Sequence, residues 1–151
     1  MKLGIGADHR GYKTKTRVAD YLRKKGYTVV DYGTESEVSV DYPDIAIRVA
    51  EGVAKKKTKF GILLCYTGQG MVMTANKVRG VRAAFCIADE YARYARAHNN
   101  ANVLVMPAGF IKFGKKMQGI INTFLNTRFE GGRHLRRIKK IGDYEDSAHR
   151  F

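Results

Sequence analysis

The chain of 151 residues is short of cysteine, of acids and of long apolar runs. Its two cysteines, Cys65 and Cys86, make no disulfide framework, which fits a reducing cytosol and hence a cytoplasmic protein. No apolar run approaches the roughly 20 residues that a membrane span needs. The opening "MKLGIGADHRG" meets Asp8 and His9 where a secretory leader would still be apolar, so no exporting segment is expected. Among the four histidines no pair is spaced like a metal site, and neither H-E-x-x-H nor a cysteine cluster occurs. No metal and no other cofactor is expected. No G-K-S or G-K-T follows a glycine loop. Gly4 and Gly6 come too early for a dinucleotide fingerprint, whose third place is held by His9. Aromatic-rich RNA motifs and helix-turn-helix patterns are missing as well.

The scarcity of acids has a counterpart. Lys and Arg number 28 against 14 Asp and Glu, a net charge of +14. That is well above the roughly 2–8 that suffices for a small soluble domain. Such a field attracts anions: sugar phosphates, nucleotides, nucleic acid or an anionic membrane. Composition does not choose among them, and a plain solvated basic surface explains the excess equally. With 44% hydrophobic residues and this length, the chain reads as one folded domain over residues 1–151.

Periodicity gives the fold class. Apolar or β-branched runs at 2–8, 27–33, 60–66, 81–87 and 102–107 read as strands. Helical patterns lie between them at 12–25, after Pro43, at 70–77 and at 88–98, and one more follows near 113–126. "FGILLCY" has the near-continuous apolarity of a strand buried on both faces. Five strands alternating with helices predict an α/β fold: a Rossmann-like three-layer sandwich whose five-stranded parallel sheet is covered on both faces. The basic tail from about 130 to 151 carries Leu135, Ile138 and Ile141 at helical spacing. Ligands of such sheets bind beyond the carboxyl ends of the strands, which singles out Asp8, His9, Gly33, Thr34, Ala88, Asp89 and the stretch from Cys65 to Gly70.

"CYTGQGM" is the richest of these loops. A glycine turn opening a helix points several backbone N–H groups one way, with the positive helix end behind them. Such an end stabilises anionic oxygens by up to about 2 kcal/mol. A tight turn with no ligand is the bland alternative. A thiol at that position is expected to have a lowered pKa, so Cys65 is a candidate nucleophile or general base. Cys86, inside "AAFCI", reads as an inert core residue. His98 closes a helix, where its charged form is favoured. His134 stands among Arg133, Arg136 and Arg137, whose guanidinium forks suit phosphate oxygens or simply a solvated face.

Seven blocks carry a resemblance: "ADHRGY" at 7–12, "DYGT" at 31–34, "VDYPD" at 40–44, "GILLCYTGQGM" at 61–71, "ANKVRGVRAA" at 75–84, "HNNANVL" at 98–104 and "FEGGRHLRR" at 129–137. In this order they resemble ribose-5-phosphate isomerase type B, in a superfamily that includes galactose-6-phosphate isomerase subunits. The latter lack the cysteine, so Cys65 favours the ribose-type branch. The resemblance implies interconversion of ribose 5-phosphate and ribulose 5-phosphate through a cis-enediolate without metal. By the same resemblance Cys65 carries the proton between carbons 1 and 2, and His98 opens the sugar ring with help from Thr67. Backbone N–H groups from Thr67, Gly68, Gln69, Gly70 and Met71 would meet the developing negative charge. Asp8 and Asn99 would hold hydroxyls, with Tyr42 bordering the sugar. His9, Arg133 and Arg137 would grip the phosphate, partly from a neighbouring subunit of a homodimer or tetramer.

Two positions depart from the family pattern. Tyr66 stands where the family writes glycine in C-G-T-G, and Gly109 stands where it has an arginine, for which Lys112 or Arg10 are nearby substitutes. The ring at 66 would border the sugar. These departures leave open an isomerase of another short sugar or sugar phosphate: a tetrulose, a hexose or an unphosphorylated sugar. A noncatalytic protein using its basic surface on nucleic acid is the other open class.

Overall fold

In the computed structural model, which describes residues 1–148, strands and helices alternate as the periodicity predicts. Strand β1 (Lys2–Ala7) leads into helix α1 (Tyr12–Lys24), β2 (Thr28–Asp31) into α2 (Tyr42–Ala54), and β3 (Phe60–Cys65) into α3 (Gln69–Ala75). β4 (Ala83–Phe85) is followed by α4 (Asp89–Ala97), and β5 (Val103–Pro107) by α5 (Lys115–Asn126) and α6 (Arg133–Ala148). All strand pairs are parallel, in the order β2-β1-β3-β5-β4.

Side-chain alternation along the strands builds two cores. Leu3, Ile5, Phe60, Ile62, Leu64, Leu104 and Met106 face α1, α4 and α5, where they meet residues such as Val18, Leu22, Ile120 and Phe124. In the other phase, Leu63, Cys65, Val103 and Val105 face Ile45 and Val49 of α2 and Met71 of α3. The early glycines belong to this second face. A Cβ on Gly6 would lie 2.7 Å from Ile45 and 2.8 Å from Val49, so "GIG" brings α2 close to the sheet.

The stretch 81–87 yields a strand of only three residues. At its start the N–H groups of Arg82, just before it, and of Ala83, its first residue, are taken by side-chain oxygens of Asn102 and Asn76, at 2.8 Å each. The basic tail is a helix. On α6 only His134 is buried, while Leu135 is 58%, Ile141 45% and Tyr144 73% exposed. Its far end is tied to the body by an Arg79–Asp146 ion pair and by Gly80 N–H donating to Glu145. The last three residues of the tail lie outside the described residues.

Candidate active site

The chain passes from β1 outward to β2 and then crosses to β3 on the other side of β1, which opens a crevice at the carboxyl ends of β1 and β3. Asp8 and Cys65 stand there. The Asp8 carboxylate accepts the N–H groups of Arg10 and Gly11 at 3.0 Å each, turning the chain into α1. His9 Nδ1 accepts the N–H of Val40 at 3.3 Å and so ties the segment before α2 to this turn. Tyr42, first residue of α2, lays its ring on Gly70, where a Cβ would come within 2.4 Å of it. Thr67 and Gln69 are exposed at the mouth of the loop, the Thr67 hydroxyl accepting the Gln69 N–H at 3.3 Å. Met71 is fully buried in the core, so only its backbone can face a ligand.

Cys65 is 5% exposed, and the Gly68 N–H donates to its Sγ at 3.1 Å. Gly68 can do this because its φ is +78°, and a Cβ there would also strike the Phe85 ring at 2.8 Å. The expected lowering of the thiol pKa does not follow. Burial, the largest effect, raises it, and the Asp8 carboxylate adds to this. Hydrogen bonds from the backbone of Gly68, Met71 and Thr67 pull the other way and do not prevail. Cys86 is fully buried and pushed up to about 12, as suits a core thiol.

His98 and Asn99 lie elsewhere. Helix α4 runs back from the carboxyl end of β4 to the start of β5, and His98 caps it. The Asn99 carbonyl accepts from Nε of Arg82, which immediately precedes β4. Gly61, at the opposite end of β3 from Cys65, donates to the Asn102 carbonyl at 3.0 Å. At about 3.3 Å per residue, β3 separates the two ends by roughly 16 Å. Arg133 and Arg137 are exposed on α6. His134, which the sequence groups with them, is instead buried under His98. The two imidazoles stack with centroids 4.1 Å apart and planes 10° apart. Glu130 reaches both, its Oε2 at 3.6 Å from His98 Nε2 and 3.7 Å from His134 Nε2. These three donors lie within 4.8 Å of one another, but near-parallel stacked rings share no point in both planes at which a metal would be ligated. Sequence reasoning missed Glu130; its i,i+4 spacing to His134 was the available signal.

The two departures from the family pattern prove to be one feature. The Tyr66 ring lies on Gly109, where a Cβ would come within 2.3 Å of it, and the Gly109 N–H donates to the Tyr66 carbonyl at 2.9 Å. The Arg10 guanidinium sits 3.7 Å from the ring centroid, and the Phe110 ring lies 5.5 Å away. A side chain at 109 would meet the ring at 66 where that ring now lies.

The model of the Ribose/Galactose Isomerase family matches residues 3–141. The chain belongs to that family. Its fold is that of a type B ribose-5-phosphate isomerase from Clostridium thermocellum, with a TM-score of 0.96 at 44% identity over 98% of this chain and 99% of that one. The Mycoplasma genitalium ribose-5-phosphate isomerase B, solved with bound ribulose 5-phosphate, matches with a TM-score of 0.91 at 42% identity over 96% of each chain. A D-erythrulose-4-phosphate isomerase of Pectobacterium atrosepticum is 41% identical over 96% of this chain and 95% of its own. Family members of this kind are aldose–ketose isomerases, and the five-stranded parallel sheet with helices on both faces is theirs. No described helix is long and apolar enough to cross a membrane.

Proposed function

We propose that this chain interconverts ribose 5-phosphate and ribulose 5-phosphate, in sites each built from two copies of the chain. One copy supplies Cys65, Thr67, Asp8, His9, Tyr42 and the 67–71 loop; the other supplies His98, Asn99 and the arginines of α6. The observation that carries this reading is the position of Cys65 and His98 at opposite ends of one sheet. A single copy cannot offer both to one small sugar, whereas two copies related by a two-fold axis can do so twice. Two buried thiols with no disulfide suit the cytoplasm.

His98 gives a proton to the ring oxygen as its bond to the anomeric carbon breaks, and takes one from the anomeric hydroxyl as the aldehyde forms. The Cys65 thiolate then removes the proton on carbon 2. The electron pair moves into the carbon–carbon bond of the enediolate, and charge gathers on the former carbonyl oxygen. In this reading backbone N–H groups of the 67–71 loop, of which Gly68 donates to Cys65 Sγ in the free protein, stabilise that oxygen as the sulfur takes up its proton; one such donor is typically worth about 2.7–4 kcal/mol in the transition state. The Cys65 thiol returns the proton to carbon 1, while the hydroxyl proton of carbon 2 passes to the oxygen on carbon 1. Each step uses side chains and backbone of the protein alone. His9, Arg133 and Arg137 hold the phosphate.

Mixing separates this reading from a site within one chain. Cys65→Ala and His98→Asn are each expected to be inactive, but co-expressed they restore about a quarter of wild-type activity, because half the dimers are mixed and each holds one intact site. No recovery would place both residues in one copy. A second reading, an isomerase of four-carbon sugar phosphates, is favoured by the Tyr66 ring at the strand ends and is tested by assaying erythrulose 4-phosphate beside ribose 5-phosphate.

A further inference from the structure

Directly behind the residue proposed for ring opening lie two groups that the steps above leave without a part. His134 is buried, 7% exposed, and its imidazole is stacked on that of His98. On another side the Tyr94 ring approaches His98 at 4.9 Å. The backbone of Glu130 is pinned by its N–H donating to the Ala97 carbonyl at 3.0 Å, one residue before His98. From there its carboxylate faces Nε2 of both rings. We infer that Glu130 and His134 are positioning residues for His98: the stack holds the plane of the His98 ring, and the carboxylate faces Nε2 so that Nδ1 is the nitrogen turned to the sugar. The inference rests on the ring-opening role proposed for His98.

Three physical points support it. A helix-capping imidazole without a stacking partner can rotate about two side-chain bonds, and a proton donor that wanders by an ångström loses much of its effect. Here two aromatic rings restrict it. Burial first, then the neighbouring His98 and Arg133, lowers the pKa of His134, which disfavours a charge on the ring beneath His98. Finally, Glu130 is an acidic group facing His98 from the segment ahead of α6, while Arg133 and Arg137 of α6 act on the stacked His134 and Arg82 holds the neighbouring Asn99 carbonyl. The carboxylate offsets these cations while His98 carries its proton between two sugar oxygens.

The test uses the intact assembled protein and two substrates. Ribose 5-phosphate is cyclic and needs ring opening. Ribulose 5-phosphate, with its 5-hydroxyl phosphorylated, cannot close a five-membered ring, so solvent exchange of its carbon-bound proton reports the Cys65 step alone. His134→Ala is expected to lower kcat for ribose 5-phosphate about tenfold and to leave exchange on ribulose 5-phosphate within about twofold. His134→Phe, which keeps a stacking ring, should recover most of the loss. Glu130→Gln should lower kcat for the cyclic sugar about threefold with KM unchanged. Equal losses on both substrates, or His134→Phe as impaired as His134→Ala, would overturn the inference. If His98→Asn is selective for the cyclic sugar and His134→Ala is not, only this inference fails. If His98→Asn itself impairs both alike, the ring-opening reading fails and takes the inference with it.

Discussion

The carboxyl end of the sheet and its amino end offer opposite kinds of chemistry on opposite kinds of support. At the carboxyl end, Cys65 is the last residue of a strand buried throughout, and its neighbours are backbone N–H groups and an Asp8 carboxylate held in a turn. At the amino end, His98 is a helix cap over a stacked histidine, and the loop after it is held by arginine side chains. Arg82 reaches the Asn99 and Asn100 carbonyls, and Arg96 the Ala101 carbonyl at 2.6 Å. The first end is rigid because the β1–β3–β5 register sets it. The second depends on long cationic side chains and on α6, whose apolar side chains are largely exposed in one copy. Under the proposed roles, the proton-abstracting group is the buried one with fixed donors, and the ring-opening group, which the proposal brings to a second copy, is the one that stands at a surface.

Removing the proposed base is the severest way to break the contrast. Cys65→Ala should cut turnover about 10²–10⁴-fold and stop exchange of the substrate's carbon-bound proton, while ligand still binds. Cys86→Ala, at an equally buried thiol, should leave turnover nearly intact. Solvent exchange followed by NMR measures both, and persistence without Cys65 would remove it from the mechanism.

The next effect is pH. Burial raises the Cys65 pKa, so the thiol is the resting form and its reactive thiolate grows with pH. Turnover limited by proton abstraction should climb about tenfold per pH unit until that raised pKa is reached. Thiolate absorbance titrated in Cys86→Ala should track the same curve. A flat profile between neutral and alkaline pH would contradict the role given to burial.

A smaller disturbance separates scaffold from chemistry. Gly68→Ala puts a Cβ on a residue at φ +78° and against Phe85. It should destabilise the fold by about 1–3 kcal/mol, seen as a lowered thermal midpoint, and slow turnover as the donor to Cys65 shifts. The smallest effect is expected at the edge of the same end. Gly109→Arg alone should destabilise, because its Cβ meets the Tyr66 ring, and adding Tyr66→Gly should restore the loss with a coupling of about 0.5–3 kcal/mol. Tyr66→Gly by itself should widen acceptance toward hexose phosphates by a few-fold in kcat/KM. An unchanged substrate profile would make the ring a packing element only.

Much of this molecule was readable from residue order. Unbroken apolarity in "FGILLC" marked a strand covered on both faces, and the glycines after it marked the loop that now surrounds Cys65. Where reading failed, distant groups decided. The thiol beside a helix start was expected to be acidic, but the desolvation that raises its pKa comes from side chains scattered over α2, α3 and β5. His134 looked like one more member of a basic cluster; its burial depends on the docking of α6 beside His98. Tyr66 and Gly109 looked like two losses, and only their contact makes them one exchange of volume.

The sequence by itself determined the alternation of five strands and their helices, the family, and the residues gathered at the strand ends, because period-two and helical patterns and loop glycines are local properties. Tertiary structure decided the strand order, the protonation tendency of Cys65, the pairing of His98 with His134 and Glu130, and the distance that keeps His98 from Cys65 within one copy. Each of these depends on which segments pack together, and desolvation, stacking and separation are properties of neighbours far apart in the chain.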